Sequence, residues 1–169
     1  MAYALFFYLM LALIFTMMYC FIKIVWHIFD RVKTDILLER IQDKNDLLYM
    51  DFKDFINVTA EVLKRKGYKV RATNRCGEDN NGLEIDGLQF AEVFKIGVNR
   101  LMEVESAMKL AWCMRINSIH RGQIITLGDF KKNTRAFCHM HVISCINGDQ
   151  FLAMCKEVQR SNAVPDLIK

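Results

Sequence analysis

The chain opens with an uninterrupted apolar run. Met1 to Ile22 carries no charge, and apolar character resumes beyond Lys23 with Ile24, Val25, Trp26, Ile28 and Phe29. About 20 apolar residues suffice for a helix to cross the hydrocarbon core of a bilayer. Residues 1–29 are therefore expected to form a retained transmembrane helix, with Tyr3, Phe6, Phe7 and Tyr8 near one interface and Tyr19 and Trp26 near the other. A cleaved signal peptide fits less well, because no basic segment precedes the run and no small-residue cleavage site precedes the first charges. Residues 30–48 mix charge with Val32, Ile36, Leu37 and Ile41 at near-helical spacing. They read as a charged linker helix with a hinge at Asn45 and Asp46. Only about one and a half heptads are present, too few for a coiled coil, so a solvated helix is favoured over a dimerising one and a homodimer stays open.

Beyond residue 50 the period changes repeatedly. Phe52, Phe55, Ile56, Thr59, Val62 and Leu63 fall on one stripe, so residues 51–66 are expected to form an amphipathic helix capped by Asp51 and closed by Lys64, Arg65 and Lys66 before Gly67. Residues 68–74 alternate Tyr68, Val70 and Ala72 against Lys69, Arg71 and Thr73, the pattern of a half-buried strand. A polar Gly/Asn loop at 76–82 leads into two short strands that end at Lys95. Residues 99–116 follow as a helix, with Met108 and Trp112 on its apolar side. A strand at 123–127, a helix from Gly128 to His139, a strand at 142–146, a turn at Asn147 and Gly148 and a helix at 150–158 complete the body. Strands alternating with helices predict an α/β domain over residues 50–160, with a central mixed sheet covered on both faces. The tail at 161–169, which holds the only proline, Pro165, is expected to be loose.

Charge adds an orientation. Lys23, Arg31, Lys33 and Arg40 all follow the apolar run, which places the body of a single-pass membrane protein in the cytoplasm by the positive-inside tendency. The formal net charge of +4 over 169 residues is too mild to announce a nucleic-acid binder. The six cysteines show no C-x-x-C pair and the four histidines complete no zinc spacing, so reduced thiols are expected. There is no P-loop, no G-x-G-x-x-G and no nucleophile elbow, and His120, His139 and His141 lack a paired acid at a telling spacing.

The candidate chemistry lies between Gly77 and Lys95. Phosphodiester cleavage requires a divalent cation held by oxygen ligands and a positive group to offset developing charge. Glu84 and Asp86 are two residues apart and are expected to share a strand face, as are Val93 and Lys95, with Glu92 on the other side of its strand. If the two strands pair, Glu84, Asp86 and Lys95 are expected to converge on one site.

The order of these pieces resembles the Mrr-type restriction endonuclease domain of the PD-(D/E)xK nuclease superfamily over about residues 50–158. The resemblance rests on Phe52, on the run Gly67-Tyr68-Lys69-Val70, and on the loop ending Gly82-Leu83-Glu84-Ile85. It continues through Val93-Phe94-Lys95, the turn from Ile124 to Phe130, and Val142 to Leu152. It implies a restriction-endonuclease-like three-layer domain that cleaves DNA with Mg2+, which Glu84 together with Asp86 would hold, although Asp86 before Gly87 reads first as a turn residue. Glu84 takes the place of the metal-binding aspartate and Lys95 that of the lysine. The chain departs from the pattern at Val93, where the family has Gln or Glu, and at Lys53, where it commonly has Glu. Glu92 would replace the missing oxygen only if a bulge re-aimed the strand. Arg71, Arg75, Lys131, Lys132 and Arg135 are the cations expected to face DNA. The alternative is a catalytically inactive module that keeps the nuclease fold to bind DNA or a protein partner at the membrane.

Overall fold

The computed structural model describes residues 2–76 and 81–163, with backbone alone at residues 2–7, 9, 162 and 163. The expectations for the first aromatic belt, for most of the Gly/Asn loop and for the end of the tail therefore lie outside what is described. The chain forms two compact units, Met1–Ile36 and Leu37–Lys169.

The first unit lies within helix α1 (Ala2–Arg40), whose stretch Met10–Arg40 is long and apolar enough to cross a membrane. Three of its polar side chains find partners on the helix itself. The Thr16 hydroxyl donates to the Leu13 carbonyl at 2.9 Å and the Thr34 hydroxyl to the Asp30 carbonyl at 2.8 Å. The Lys23 ammonium sits 4.9 Å from the Tyr19 ring centroid, one turn away. Satisfying polar groups internally is what a helix in lipid requires.

The second unit begins inside the segment expected to be a solvated linker. Leu38, Ile41 and Leu47 are buried in its core, so α1 runs into the domain and stops at Arg40. The break falls at Ile41–Asp43, earlier than the expected hinge. Asp43 caps α2 (Lys44–Tyr49), accepting the Asn45 and Asp46 amides, while the Asp46 carboxylate reaches back to the Asp43 and Gln42 amides. This reciprocal box satisfies the first-turn donors and makes Asn45 and Asp46 helical.

Helix α3 (Phe52–Arg65) buries Phe55, Val58, Thr59, Val62 and Leu63, and the Thr59 hydroxyl is satisfied by the Phe55 carbonyl at 2.8 Å. Strands β1 (Val70–Thr73), β2 (Gly82–Ile85), β3 (Gln89–Phe94), β5 (Arg121–Thr126) and β7 (Ile143–Ile146) form one sheet in the order β1-β2-β3-β5-β7. The first three pair antiparallel and the last three parallel. One face packs Leu83, Ile85, Ala91, Val93 and Ile125 against α3 and α6 (Gly148–Ala163). The other packs Phe90, Ile124 and Ile143 against α4 (Val104–Ile116) and α5 (Lys132–Met140). The result is the expected α/β sandwich of a mixed sheet between two helical layers.

Three local readings are corrected. Leu101–Met102 (β4) and Asp129–Phe130 (β6) are not the starts of helices but a two-stranded parallel ladder. Gly128 lies so close to this ladder that a Cβ there would stand 2.2 Å from the Arg100 carbonyl oxygen, and the helix of this segment starts only at Lys132. In β1 the burial is not a clean alternation, since Ala72 is exposed at the sheet edge and Thr73 is buried beside Gly82. Finally, Cys76 and Cys113 form a disulfide, with Cα atoms 5.7 Å apart, in place of the reduced thiols expected for this pair. The bond ties the chain after β1 to α4, a juxtaposition created by the fold across 37 residues of sequence.

The Phe55 and Phe151 rings meet edge to face at 5.5 Å, both fully buried, and join α3 to α6. Truncating Phe55 removes that contact and leaves a cavity. The variant Phe55→Ala is expected to lose about 3–5 kcal/mol of stability, read as a lowered urea midpoint for the second unit.

Candidate functional site

The hairpin β2–β3 decides which groups can work together. Its turn is set by Asp86 and Gly87, both in the left-handed region at φ 54° and 71°. The Asp86 carboxylate accepts the Lys69 amide at 2.8 Å, and the Asp86 amide donates to the Lys69 carbonyl at 2.8 Å. Aspartate tolerates this conformation because its short side chain bonds to nearby backbone. Asp86 is thus held as a turn residue, and β2 ends before it.

From this turn the ladder pairs Ile85 with Gln89, Glu84 with Phe90, Leu83 with Ala91 and Gly82 with Glu92. Paired residues share a face and the period is two. Glu84, Phe90 and Glu92 therefore project toward the α4/α5 layer, whereas Leu83, Ala91 and Val93 project toward α3 and α6. Lys95 continues on the Val93 side, and its ammonium donates to the carbonyl of Met50, the residue that ends α2. A cation on the last carbonyls of a helix caps it and matches its dipole. The expected convergence of Glu84 and Lys95 is thus corrected: the two lie on opposite faces of the sheet. Their separation follows from where the turn falls, which Asp86 and Gly87 fix. Glu92 lies on the other side from Lys95, as the alternation predicts, but on the same face as Glu84.

The residue that does stand across from Val93 is Asn81. The Val93 amide donates to the Asn81 carbonyl at 3.1 Å, and the Asn81 side-chain amide donates to the Val93 carbonyl at 3.2 Å and faces Glu92 Oε1 at 3.5 Å. Asn81 is only 4% exposed, and its Oδ1 has no hydrogen-bond partner among the described residues. Sequence reasoning passed over it as one more polar loop residue. The signal that finds it is register, because counting back across the ladder from Val93 lands on position 81.

The donor set on the Lys95 face of this hairpin does not fit a magnesium ion. Mg2+ takes oxygen ligands, normally one or two of them carboxylates. Around Val93 and Lys95 the chain offers one neutral amide oxygen, an aliphatic side chain and an ammonium. Among the described residues no group of three or more His, Cys, Asp or Glu side chains converges elsewhere.

The expected DNA-facing cations divide into two sets. Lys131 is held by Glu103 at 2.5 Å, and Arg135 is paired with Asp129 and lies 5.8 Å from the Phe130 ring centroid. The Phe130 amide, and then Arg135 and Asn147, keep the Asp129 carboxyl below its ordinary range. Arg71, Arg75 and Lys132 are exposed. Arg71 sits directly across β1–β2 from Glu84, an opposite-charge pair in register. Arg75 borders an open cavity of about 570 Å3 on the α4 side, with the buried carboxylate of Glu92, the Cys76–Cys113 disulfide and the 68% exposed Trp112.

No family model matches the sequence, and no curated protein is similar to it. Solved structures similar to it include the MspJI restriction endonuclease in complex with a 27-mer oligonucleotide, 16% identical over 61% of this chain and 26% of that one, with a TM-score of 0.43. They also include the DNA modification-dependent restriction endonuclease AspBHI, 11% identical over 80% of this chain and 36% of that one, with a TM-score of 0.48. The chain spans about a quarter to about a third of the length of these two proteins. Likeness of this extent transfers no chemistry.

Asn81 gives a test of the local geometry. In Asn81→Asp a second carboxylate enters a buried site beside Glu92 and the donor to the Val93 carbonyl is lost. The variant is expected to be roughly 2–4 kcal/mol less stable at pH 7. The deficit should shrink at pH 5, because two carboxyls sharing a site retain a proton between them. Urea unfolding of parent and variant at both pH values checks this.

Proposed function

We propose that this chain is a membrane-tethered module, built on a nuclease-type sheet, that binds DNA without cutting it. The observation that carries the reading is the division of the hairpin: Glu84 is on one face, Lys95 is on the other and capping α2, and Asn81 and Val93 stand where carboxylates would be needed beside that lysine. Removing one positioned acid–base or electrostatic group commonly costs a hundredfold or more in rate. Here the oxygen ligands are missing from the face that carries the lysine. The endonuclease reading, with Glu84 and Asp86 holding Mg2+ and Lys95 offsetting charge on phosphate, would require the hairpin to shift its register by an odd number of residues. Such a shift would turn either Leu83 and Ile85 or Ala91 and Val93 out of the core.

Binding is supported by the exposed cations Arg71, Arg75 and Lys132, which are of the type that contacts phosphate without reading sequence. Helix α1 is the proposed tether, and the charges after its apolar run favour a cytoplasmic body. Linkage to a membrane raises the effective concentration of the domain near DNA that reaches the bilayer, which offsets a weak intrinsic affinity.

A plasmid-nicking assay with Mg2+ on the full-length protein in detergent, alongside fluorescence anisotropy with duplex DNA over a range of salt, tests the proposal. No nicking is expected from the parent, from Glu84→Ala or from Lys95→Ala. Affinity is expected to fall steeply with salt, and Arg71→Ala and Lys132→Ala should each reduce the salt slope by about one. Magnesium-dependent nicking that disappears in Glu84→Ala and Lys95→Ala would restore the endonuclease. Absence of any salt-dependent binding would overturn the DNA-binding reading.

A further inference from the structure

The outer face of α4 is apolar where the solvent-facing side of a helix is normally polar. Met108, Trp112 and Ile116 follow one another at intervals of four residues, so they form one ridge along the helix, and they are 52%, 68% and 60% exposed. Beside the ridge lies an open cavity of about 560 Å3, walled in part by Met108, Ala111, Met114, Ile119 and Phe137. Glu105 and Arg115 stand at the two ends of the same face. Both are exposed, and neither makes an ion pair among the described residues. We propose that α4 is a self-association surface, on which two copies of this chain pair through antiparallel α4 helices across a two-fold axis at the height of Leu110.

The stripe fixes both the partner and the direction. An apolar ridge and an apolar hollow lie side by side on one molecule, and an isologous contact sets each against its counterpart on the other copy. With the axis at Leu110, Met108 faces the partner's Trp112 and Val104 faces the partner's Ile116. The partner's indole then lies against Met108 and Ala111, at the mouth of the cavity. Glu105 meets the partner's Arg115, and symmetry repeats that ion pair at the other end. A parallel pairing would set each of these charges against its own kind, with repulsion at both ends. At 3.6 residues per turn, positions 105, 108, 112, 115 and 116 fall within about 100° of the helix circumference, so one partner helix covers them together.

The 13 residues of α4 give a contact about 20 Å long. Its tryptophan, methionine and isoleucine from both copies, with the surfaces they cover, bury on the order of 1,000 Å2, the lower bound of a specific interface. The pair is therefore expected to be weak and concentration-dependent. Confinement of tethered copies to a membrane would strengthen it by raising their effective concentration. The contact needs neither DNA nor metal, so it stands apart from the DNA-binding reading.

Sedimentation equilibrium of the full-length protein in density-matched detergent micelles, over a range of protein concentration, tests the inference. The parent is expected to move from monomer to dimer mass as concentration rises. Trp112→Glu is expected to weaken association about tenfold or more. Glu105→Arg and Arg115→Glu should each weaken it about three- to tenfold, because a single reversal replaces two attractive pairs by two repulsive ones. The double variant carrying both reversals should recover the association of the parent. Only the antiparallel register produces that rescue, and it also shows that the single variants had not misfolded. A parent that stays monomeric throughout leaves this face to another occupant and overturns the proposal. Association that Trp112→Glu does not weaken, which would place the contact on another surface of the chain, overturns it too, as does a double variant as weak as the single ones.

Discussion

The antiparallel ladder between β2 and β3 is the constraint on which the rest of this domain turns. Because side chains alternate with a period of two, a hairpin has two registers that differ in kind, and a one-residue slip exchanges the buried and exposed sets. Here the choice is settled at the turn. Asp86 and Gly87 occupy left-handed conformations, and Asp86 is bonded through both its carboxylate and its amide to Lys69 on the approach to β1. Once that corner is fixed, Leu83, Ile85, Ala91 and Val93 fill the core beneath α3 and α6, and Glu84 and Glu92 must face the other way.

Burial then reinforces the register. Val93 is fully buried between β2 and β5, where Ile125 stands beside it in the parallel ladder. Turning it outward would forfeit about 1.5–3 kcal/mol for that side chain alone, and Ala91 on the same strand would leave the core with it. The same logic explains Lys95. Its ammonium ends on the Met50 carbonyl, so its charge stabilises a helix end. A residue that reads as a catalytic lysine in one register becomes a helix cap in this one. The burial of Val93 and the capping role of Lys95 are thus two results of a single geometric choice.

The two core clusters also divide the chemistry of the domain. The α3/α6 side is mainly aliphatic and aromatic, with the Phe55–Phe151 contact at its centre. The α4/α5 side holds the disulfide, the free cysteines Cys138 and Cys145, the buried Glu92 carboxylate and the cavity beside Trp112. Polar and sulfur chemistry is therefore gathered on the layer that carries the exposed cations of α5. The face that carries Val93 and Asn81 is thus the chemically poorer of the two.

Much of the architecture was legible in the amino-acid order. The apolar run at the start, the stripe on Phe52 to Leu63 and the apolar strands around Ile124 and Ile143 each follow from local periodicity, which reports the face an element must bury. The boundaries that failed did so for tertiary reasons: Leu38 and Ile41 read as linker until the core that covers them exists, and Leu101–Met102 reads as helix until Asp129–Phe130 pairs with it. The candidate site was legible as a set of residue types and not as a place. Sequence alone determined that acids, a valine and a lysine lie on two adjoining strands. Only the tertiary structure decided which of them meet, because pairing depends on where the turn falls and on which side chains the surrounding helices bury, and neither is written in the spacing along one strand.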